Sequence, residues 1–323
     1  MTEHSKSRGP RAAVAAFDWR QYIIYIGFAI VFVVFSITLG DRGFLEPTNL
    51  LNIFRQTALI SIMAVAMTFV LAAAQIDLSI GAVVGLASVT TALALSPAWG
   101  LPWPAAVAIG ILTGLLVGLA NGFLVAFVAI PSFLVTLATL GIVNGPAQWI
   151  SDTAPIPIQD DTFTYFFGSG DFGPIPSLLV WTAAAFVIGF IVLRKTTYGR
   201  RVLATGGNAM AARFSGVDVR TIRFAVMAVM GTVAGLCGVL FAGRLHSGRF
   251  EFGQGAELSV IAAVILGGTS LFGGRATIIG TLLGSLLIGL INNGLTLASL
   301  PTSQQFIVRG VIIILAVALA KKR

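Results

Sequence analysis

Few residues of this chain are equipped for covalent chemistry. Its two histidines, His4 and His246, belong to no H-E-x-x-H pattern, and a single cysteine, Cys237, excludes an intrachain disulfide. No G-x-S-x-G elbow or catalytic carboxylate pair is present. The nearest approach to a phosphate-binding loop is Gly268-Thr-Ser-Leu-Phe-Gly273-Gly274-Arg275, which has Gly where the lysine belongs, so the chain is not expected to hold ATP itself. What remains is a set of polar groups within long apolar runs: Gln75, Asp77, Asn121, Thr269, Ser270 and Asn292. They suit hydrogen bonding to a solute rather than bond breaking. A neutral lining of this kind fits an uncharged hydroxylated solute better than an ion.

The composition says what surrounds those groups. Of 323 residues, 57% are hydrophobic and 10% charged, against about 25% charged in soluble domains. Mean hydropathy is +0.95. A soluble fold, a disordered chain and a basic nucleic-acid-binding protein are all excluded. The expected architecture is an all-α polytopic membrane protein. About 20 apolar residues cross the hydrocarbon core, and ten candidate spans lie at roughly 22–39, 56–74, 78–95, 104–121, 131–150, 177–193, 224–243, 257–272, 276–293 and 305–320. They form one transmembrane domain over 22–320, between tails 1–21 and 321–323. No cleavage site follows the first apolar run, so it is read as a retained span.

Charge orients the chain. Residues 194–223 carry Arg194, Lys195, Arg200, Arg201, Arg213, Arg220 and Arg223, whereas 151–176 carry Asp152, Asp160, Asp161 and Asp171 with no lysine or arginine. With ten spans, the positive-inside rule places both tails and 194–223 in the cytoplasm, and 151–176 outside.

Asp77 is the sharpest problem for this arrangement. A carboxylate at bilayer depth costs about 2.5–3.5 kcal/mol on insertion scales. It either caps the third span or lines the path of a solute. The junctions at Gln75-Ile76-Asp77 and at Gly267–Gly274 read as tight turns or as broken or re-entrant helices. Gly110-Ile-Leu-Thr-Gly-Leu-Leu-Val-Gly-Leu-Ala-Asn-Gly122 is echoed by Gly280-Thr-Leu-Leu-Gly-Ser-Leu-Leu-Ile-Gly-Leu-Ile-Asn-Asn-Gly294. These are the fourth and ninth spans, which run in opposite directions. A five-plus-five inverted repeat would produce that echo, and so would two glycine-rich helices alike by chance.

In the basic loop, Asn208 is a good N-cap, residues 209–215 fit two helical turns, and Gly216 suits the position after them. Met210 and Phe214 share a face, beside Ala211. Such a helix suits docking in a groove of another protein or lying on anionic headgroups. Three functions remain open on these grounds: an ATPase-driven permease, a secondary transporter or facilitator, and an intramembrane enzyme or scaffold.

Four stretches resemble the permease subunits of ribose-type ABC importers, which serve ribose, arabinose, xylose and related sugars or polyols in bacteria. They are Met67-Thr-Phe-Val with Ile76-Asp-Leu-Ser-Ile-Gly81; Pro131-Ser-Phe-Leu-Val-Thr-Leu-Ala-Thr-Leu-Gly141; Tyr198-Gly-Arg with Gly206-Gly-Asn-Ala-Met-Ala-Ala-Arg-Phe-Ser-Gly216; and Ile261-Ala-Ala-Val-Ile-Leu-Gly-Gly-Thr-Ser-Leu-Phe-Gly-Gly274. The resemblance implies that Gly207, Asn208, Ala211, Ala212, Arg213 and Gly216, with the apolar Met210 and Phe214, couple the permease to an ATPase. It also implies a second permease subunit, an ABC ATPase that binds the ATP and Mg, a periplasmic binding protein, and a place in the bacterial inner membrane. The chain departs from the family pattern at Met210 (usually Glu), at Ala74-Gln75 (usually Gly-Gly) and at Ala276 (usually Gly).

Overall fold

Apolar runs interrupted by glycine and proline give a helical bundle with abrupt ends. The computed structural model describes residues 23–301 and, beyond them, 303–305, 307–308, 310–311 and 314. Among the described residues, six helices are long and apolar enough to cross a membrane: α2 (Pro47–Ala72), α4 (Trp103–Ala126), α5 (Ser132–Ser151), α7 (Ser177–Lys195), α10 (Val219–Leu245) and α12 (Ile278–Leu297). Three apolar helices are shorter: α1 (Ile23–Thr38), α3 (Ile80–Leu95) and α11 (Ala256–Leu266). The expected tails and most of the candidate span 305–320 lie outside the described residues.

Lengths explain where the expected boundaries move. Pro47 stands in the first turn of α2 and starts it nine residues before the expected 56. At ~1.5 Å per residue, the 26 residues of α2 and the 27 of α10 exceed a ~30 Å core. The 11 residues of α11 reach about half way through it. The span expected at 257–272 therefore ends at Leu266, where Gly267 and Gly268 stop the helix.

The 151–176 loop is not featureless. It holds the short helix α6 (Asp161–Thr164), capped by the Asp160 side chain, and two-residue strands β1 (Ile156–Pro157), β2 (Asp171–Phe172) and β3 (Ile175–Pro176). β2 pairs with β3, and β1 pairs antiparallel with β4 (Ser247–Gly248). The 194–223 loop contains two helices, α8 (Thr197–Gly207) and α9 (Ala209–Phe214). The first of these is not apparent from the sequence.

Glycine sets the closest helix approaches. Gly114 of α4 and Gly231 of α10 face each other so closely that a Cβ on either would overlap the other's carbonyl oxygen, and Gly118 and Gly235 extend the contact. Gly280 and Gly284 of α12 lie in the same way on the carbonyls of Gly267 and Ala263. Without a hydrophobic drive between helices in lipid, such backbone packing supplies much of the association. Gly231→Leu should lower the thermal midpoint in detergent by the equivalent of at least the ~1–3 kcal/mol of an overpacked core. Gly27→Leu, where nothing lies within 4 Å of a Cβ, should shift stability by no more than about 0.5 kcal/mol.

Candidate functional site

Non-helical backbone inside a membrane protein must find its hydrogen bonds within the protein, and this requirement locates the site. α2 stops at Ala74, whose φ of +57° is left-handed. The Ala74 N–H donates to Leu71 O and Gln75 N–H to Val70 O, a helix stop usually made with glycine. The chain then runs without helix to Ser79. Ile76 N–H donates to Ser132 Oγ at 3.0 Å and Leu78 N–H to Thr136 Oγ1 at 3.1 Å. Both hydroxyls come from α5, one turn apart on one face.

A third hydroxyl on that face completes a buried chain. Thr139 Oγ1 donates to Asn121 Oδ1 at 2.7 Å, Asn121 Nδ2 to Ser79 Oγ at 3.0 Å, and Ser79 Oγ to Asp77 Oδ1 at 2.6 Å. Asp77 Oδ1 also accepts from Ser79 N–H at 2.8 Å. Asp77 is thus not the helix cap read from the sequence. Ser79 occupies the cap position and makes no capping bond with its side chain, while Asp77 closes a turn two residues earlier. Gln75 donates to the carbonyls of Ala73 and Ala74. Gln75, Asp77 and Asn121 are all buried; Gln75 and Asp77 bond within the break, and Asn121 ties it to α4 and, through Thr139, to α5.

A second irregular stretch follows α10, where β4 leads into a run of turns. Gly248 packs on Ser88 and Ala92 of α3, the Phe250 carbonyl on Gly85, and Gly253 on Gly81. Those contacts descend eleven residues of α3, ~16 Å at 1.5 Å each. Ser88 Oγ lies 2.8 Å from the Arg249 carbonyl oxygen and accepts from Arg249 N–H. This stretch reads in the sequence as an ordinary loop. The clue was the row Gly81, Gly85, Ser88, Ala92, which is one face of α3.

The third irregular segment, 267–277, brings Thr269 and Ser270 together. Gly268 (φ +90°) and Thr269 repeat the helix stop of Ala74 and Gln75, with N–H bonds to Ile265 O and Val264 O. Thr269 Oγ1 accepts from Thr277 N–H, and Ser270 Oγ from Phe272 N–H. Asn292 stands apart from these groups, partly exposed on α12. Its neighbour Asn293 is the buried amide, exchanging hydrogen bonds of 3.2 and 2.9 Å with Asn49 of α2. That pair heads a polar seam in which Ser61 meets Ser285 at 2.8 Å and Thr68 meets Thr281 at 2.9 Å.

The basic segment projects from the same end as two of these breaks. Asn208 ends α8 and caps α9, accepting from Ala211 N–H at 3.0 Å. Gly216 (φ +82°) follows α9, with Val217 N–H bonded to Ala212 O. Ala212 is buried against the body. Met210 is 65% and Phe214 85% exposed, with Asn208, Ala211 and Arg213 also exposed. Asp218 caps α10, and hydrogen bonds from Thr221 side chain and backbone hold its carboxyl below the usual carboxylate value. Burial pushes the Tyr198 hydroxyl up to about 12, so it stays protonated at ordinary pH. Its ring stacks on Phe69 of α2 at 6.3 Å.

Two substitutions test these assignments by thermal unfolding in detergent. Thr139→Val strips Asn121 Oδ1 of its donor and should cost about 1–3 kcal/mol. Tyr198→Phe should be neutral or stabilising, because its buried hydroxyl has no hydrogen-bond partner among the described residues.

Comparison with known proteins agrees with the architecture. Residues 49–317 match the family described as "Branched-chain amino acid transport system / permease component". The chain is similar to the ribose import permease RbsC of Bacillus subtilis, 38% identical over 93% of this chain and 92% of that protein. It is also similar to the L-arabinose ABC transporter permease AraH of Azospirillum brasilense, 38% identical over 91% of this chain and 85% of that one. The xylose transport permease XylH of Haemophilus influenzae is 31% identical over 92% and 94%. With more than half its length matched and relatives of this identity covered nearly end to end, the chain belongs to this family of transport-system permeases.

Proposed function

We propose that this chain is the transmembrane permease subunit of a bacterial ABC importer for a small neutral sugar or polyol. A periplasmic binding protein delivers the solute and a separate ATPase subunit supplies the energy. The observation that carries the reading is α9. A chain without a phosphate-binding loop projects a capped helix with an almost fully exposed phenylalanine, Phe214, from its most basic segment. Gly207, Asn208, Met210, Ala211, Ala212, Arg213, Phe214 and Gly216 form the coupling element. The sugar-specific names of the relatives and the neutral polar residues of the breaks favour a hydroxylated solute over an amino acid.

The fold in this reading is ten spans in two inverted halves, with 194–223 and both termini cytoplasmic. Packing supports the repeat. Moving forward five spans takes α2, α3 and α4 to α10, α11 and α12. The pair α2–α12 then becomes α10–α4, α3–α4 becomes α11–α12, and α3–α10 becomes α11–α2, and all six pairs are in contact. The counterpart of the break 73–79 is the irregular stretch 246–255, since each follows the long helix of its half. Such opposed halves rock against each other around a central path. Asp77, Gln75 and Asn121 shape the wall of that path by fixing the first break, and Thr269 and Ser270 fix another.

A second permease subunit completes the path. On α5, Gly141 and Gly145 are exposed and nothing lies within 4 Å of a Cβ on either. This small-xxx-small face is of the kind that pairs helices in membranes.

The test is purification in mild detergent from cells expressing the transport system. The ATPase should co-purify with the wild type and be lost with Asn208→Ala plus Arg213→Glu. Proteoliposomes of the complex, given a panel of ribose, arabinose, xylose and leucine, should take up a sugar only when ATP is supplied. Uptake by the permease alone, insensitive to ATP, would establish a facilitator instead.

A further inference from the structure

The base of the coupling element meets two of the breaks at one point. Gly206, in the last turn of α8, lies so close to the end of α2 that a Cβ there would overlap the Ala72 carbonyl oxygen. That same oxygen accepts a hydrogen bond of 3.0 Å from Gly274 N–H. A Cβ on Gly273 would stand 2.6 Å from the Gly206 carbonyl oxygen and 2.8 Å from Ala74 Cβ, and one on Gly274 would stand 2.7 Å from Gly207 Cα. Three chain segments therefore touch backbone to backbone: the end of α2 where the first break begins, the tip of the 267–277 loop, and the end of α8.

We propose that Gly206 and Gly274 are positioning residues for transport, forming a rigid junction through which one movement of α9 displaces both breaks together. The claim rests on the importer reading above and adds to it the place where force enters the spans. Three features favour it. Asn208 is at once the end of α8 and the cap of α9, so no flexible linker separates the docking surface from Gly206. The Tyr198–Phe69 stack and the seating of Gly199 on the Val192 and Leu193 carbonyls fix the other end of α8. Backbone atoms in direct contact cannot absorb a displacement by rotamer change, as side chains do. A small shift at such a packed contact is passed on rather than dissipated.

The junction moves as a unit, which gives the test two arms on the complete complex in proteoliposomes, with radiolabelled ribose, arabinose and xylose as probes. In the first arm, Gly206→Ala inserts a methyl group into the contact. The ATPase should still co-purify and hydrolyse ATP, while sugar imported per ATP falls about tenfold, within the range known for residues that carry coupling. A purely structural role would lower the yield of complex and leave that ratio unchanged, and an unchanged ratio overturns the proposal. In the second arm, Gly207→Cys with Gly274→Cys is compared oxidised and reduced, over a background in which the one native cysteine is buried. Import that persists in the oxidised form supports a junction that stays closed through the cycle. Import lost on oxidation and restored on reduction overturns it, and this arm decides if Gly206→Ala does not accumulate. Failure of the wild-type complex to import any sugar would count against the importer reading, not against the junction.

Discussion

The structure depends on one constraint: inside a bilayer, every backbone N–H and C=O must be bonded within the protein. Regular helices meet it unaided. The irregular stretches 73–79 and 246–253 do not, and each is served by the face of a neighbouring helix. Ser132 and Thr136 take the N–H groups of Ile76 and Leu78, and Ser88 takes that of Arg249. The same serving helices present small residues or hydroxyls where the irregular chain must come close. At these two stretches the irregular backbone lies where a neighbouring helix has been adapted to hold it.

The constraint also explains the fate of the ionisable and amide groups. Asp77 is tolerated because two donors from Ser79 reach its Oδ1. Ser79 is held by Asn121, and Asn121 by Thr139. A buried network of this type is stable only when complete. Its members hold the break, α4 and α5 together.

Much of this was legible in the sequence, for identifiable reasons. The composition fixes the membrane setting, and Asn208 with Gly216 delimits α9 because capping is a local effect. The break at Asp77 was visible because a carboxylate interrupts an apolar run. Its partners were not, since Ser132, Thr136 and Thr139 are far away in sequence and hydroxyls in membrane helices usually bond their own backbone. The echo ending in Asn-Gly led to Asn292, whereas the residue directly before Gly294 is Asn293, the amide that α2 holds. α8 was missed because Thr197–Gly207 carries five glycines or threonines and little apolar character. The descent of 246–255 into the bundle was missed because Arg249 and Glu251 make it read as a solvated loop.

The central claim is that the coupling segment and two of the breaks behave as one mechanical unit. Amide hydrogen exchange on the assembled complex tests it most directly, comparing the resting state with one trapped by ATP and vanadate. The account predicts that protection changes together in peptides covering 73–79, 206–214 and 267–277. A change confined to 206–214, with both breaks exchanging as in the resting state, would contradict it.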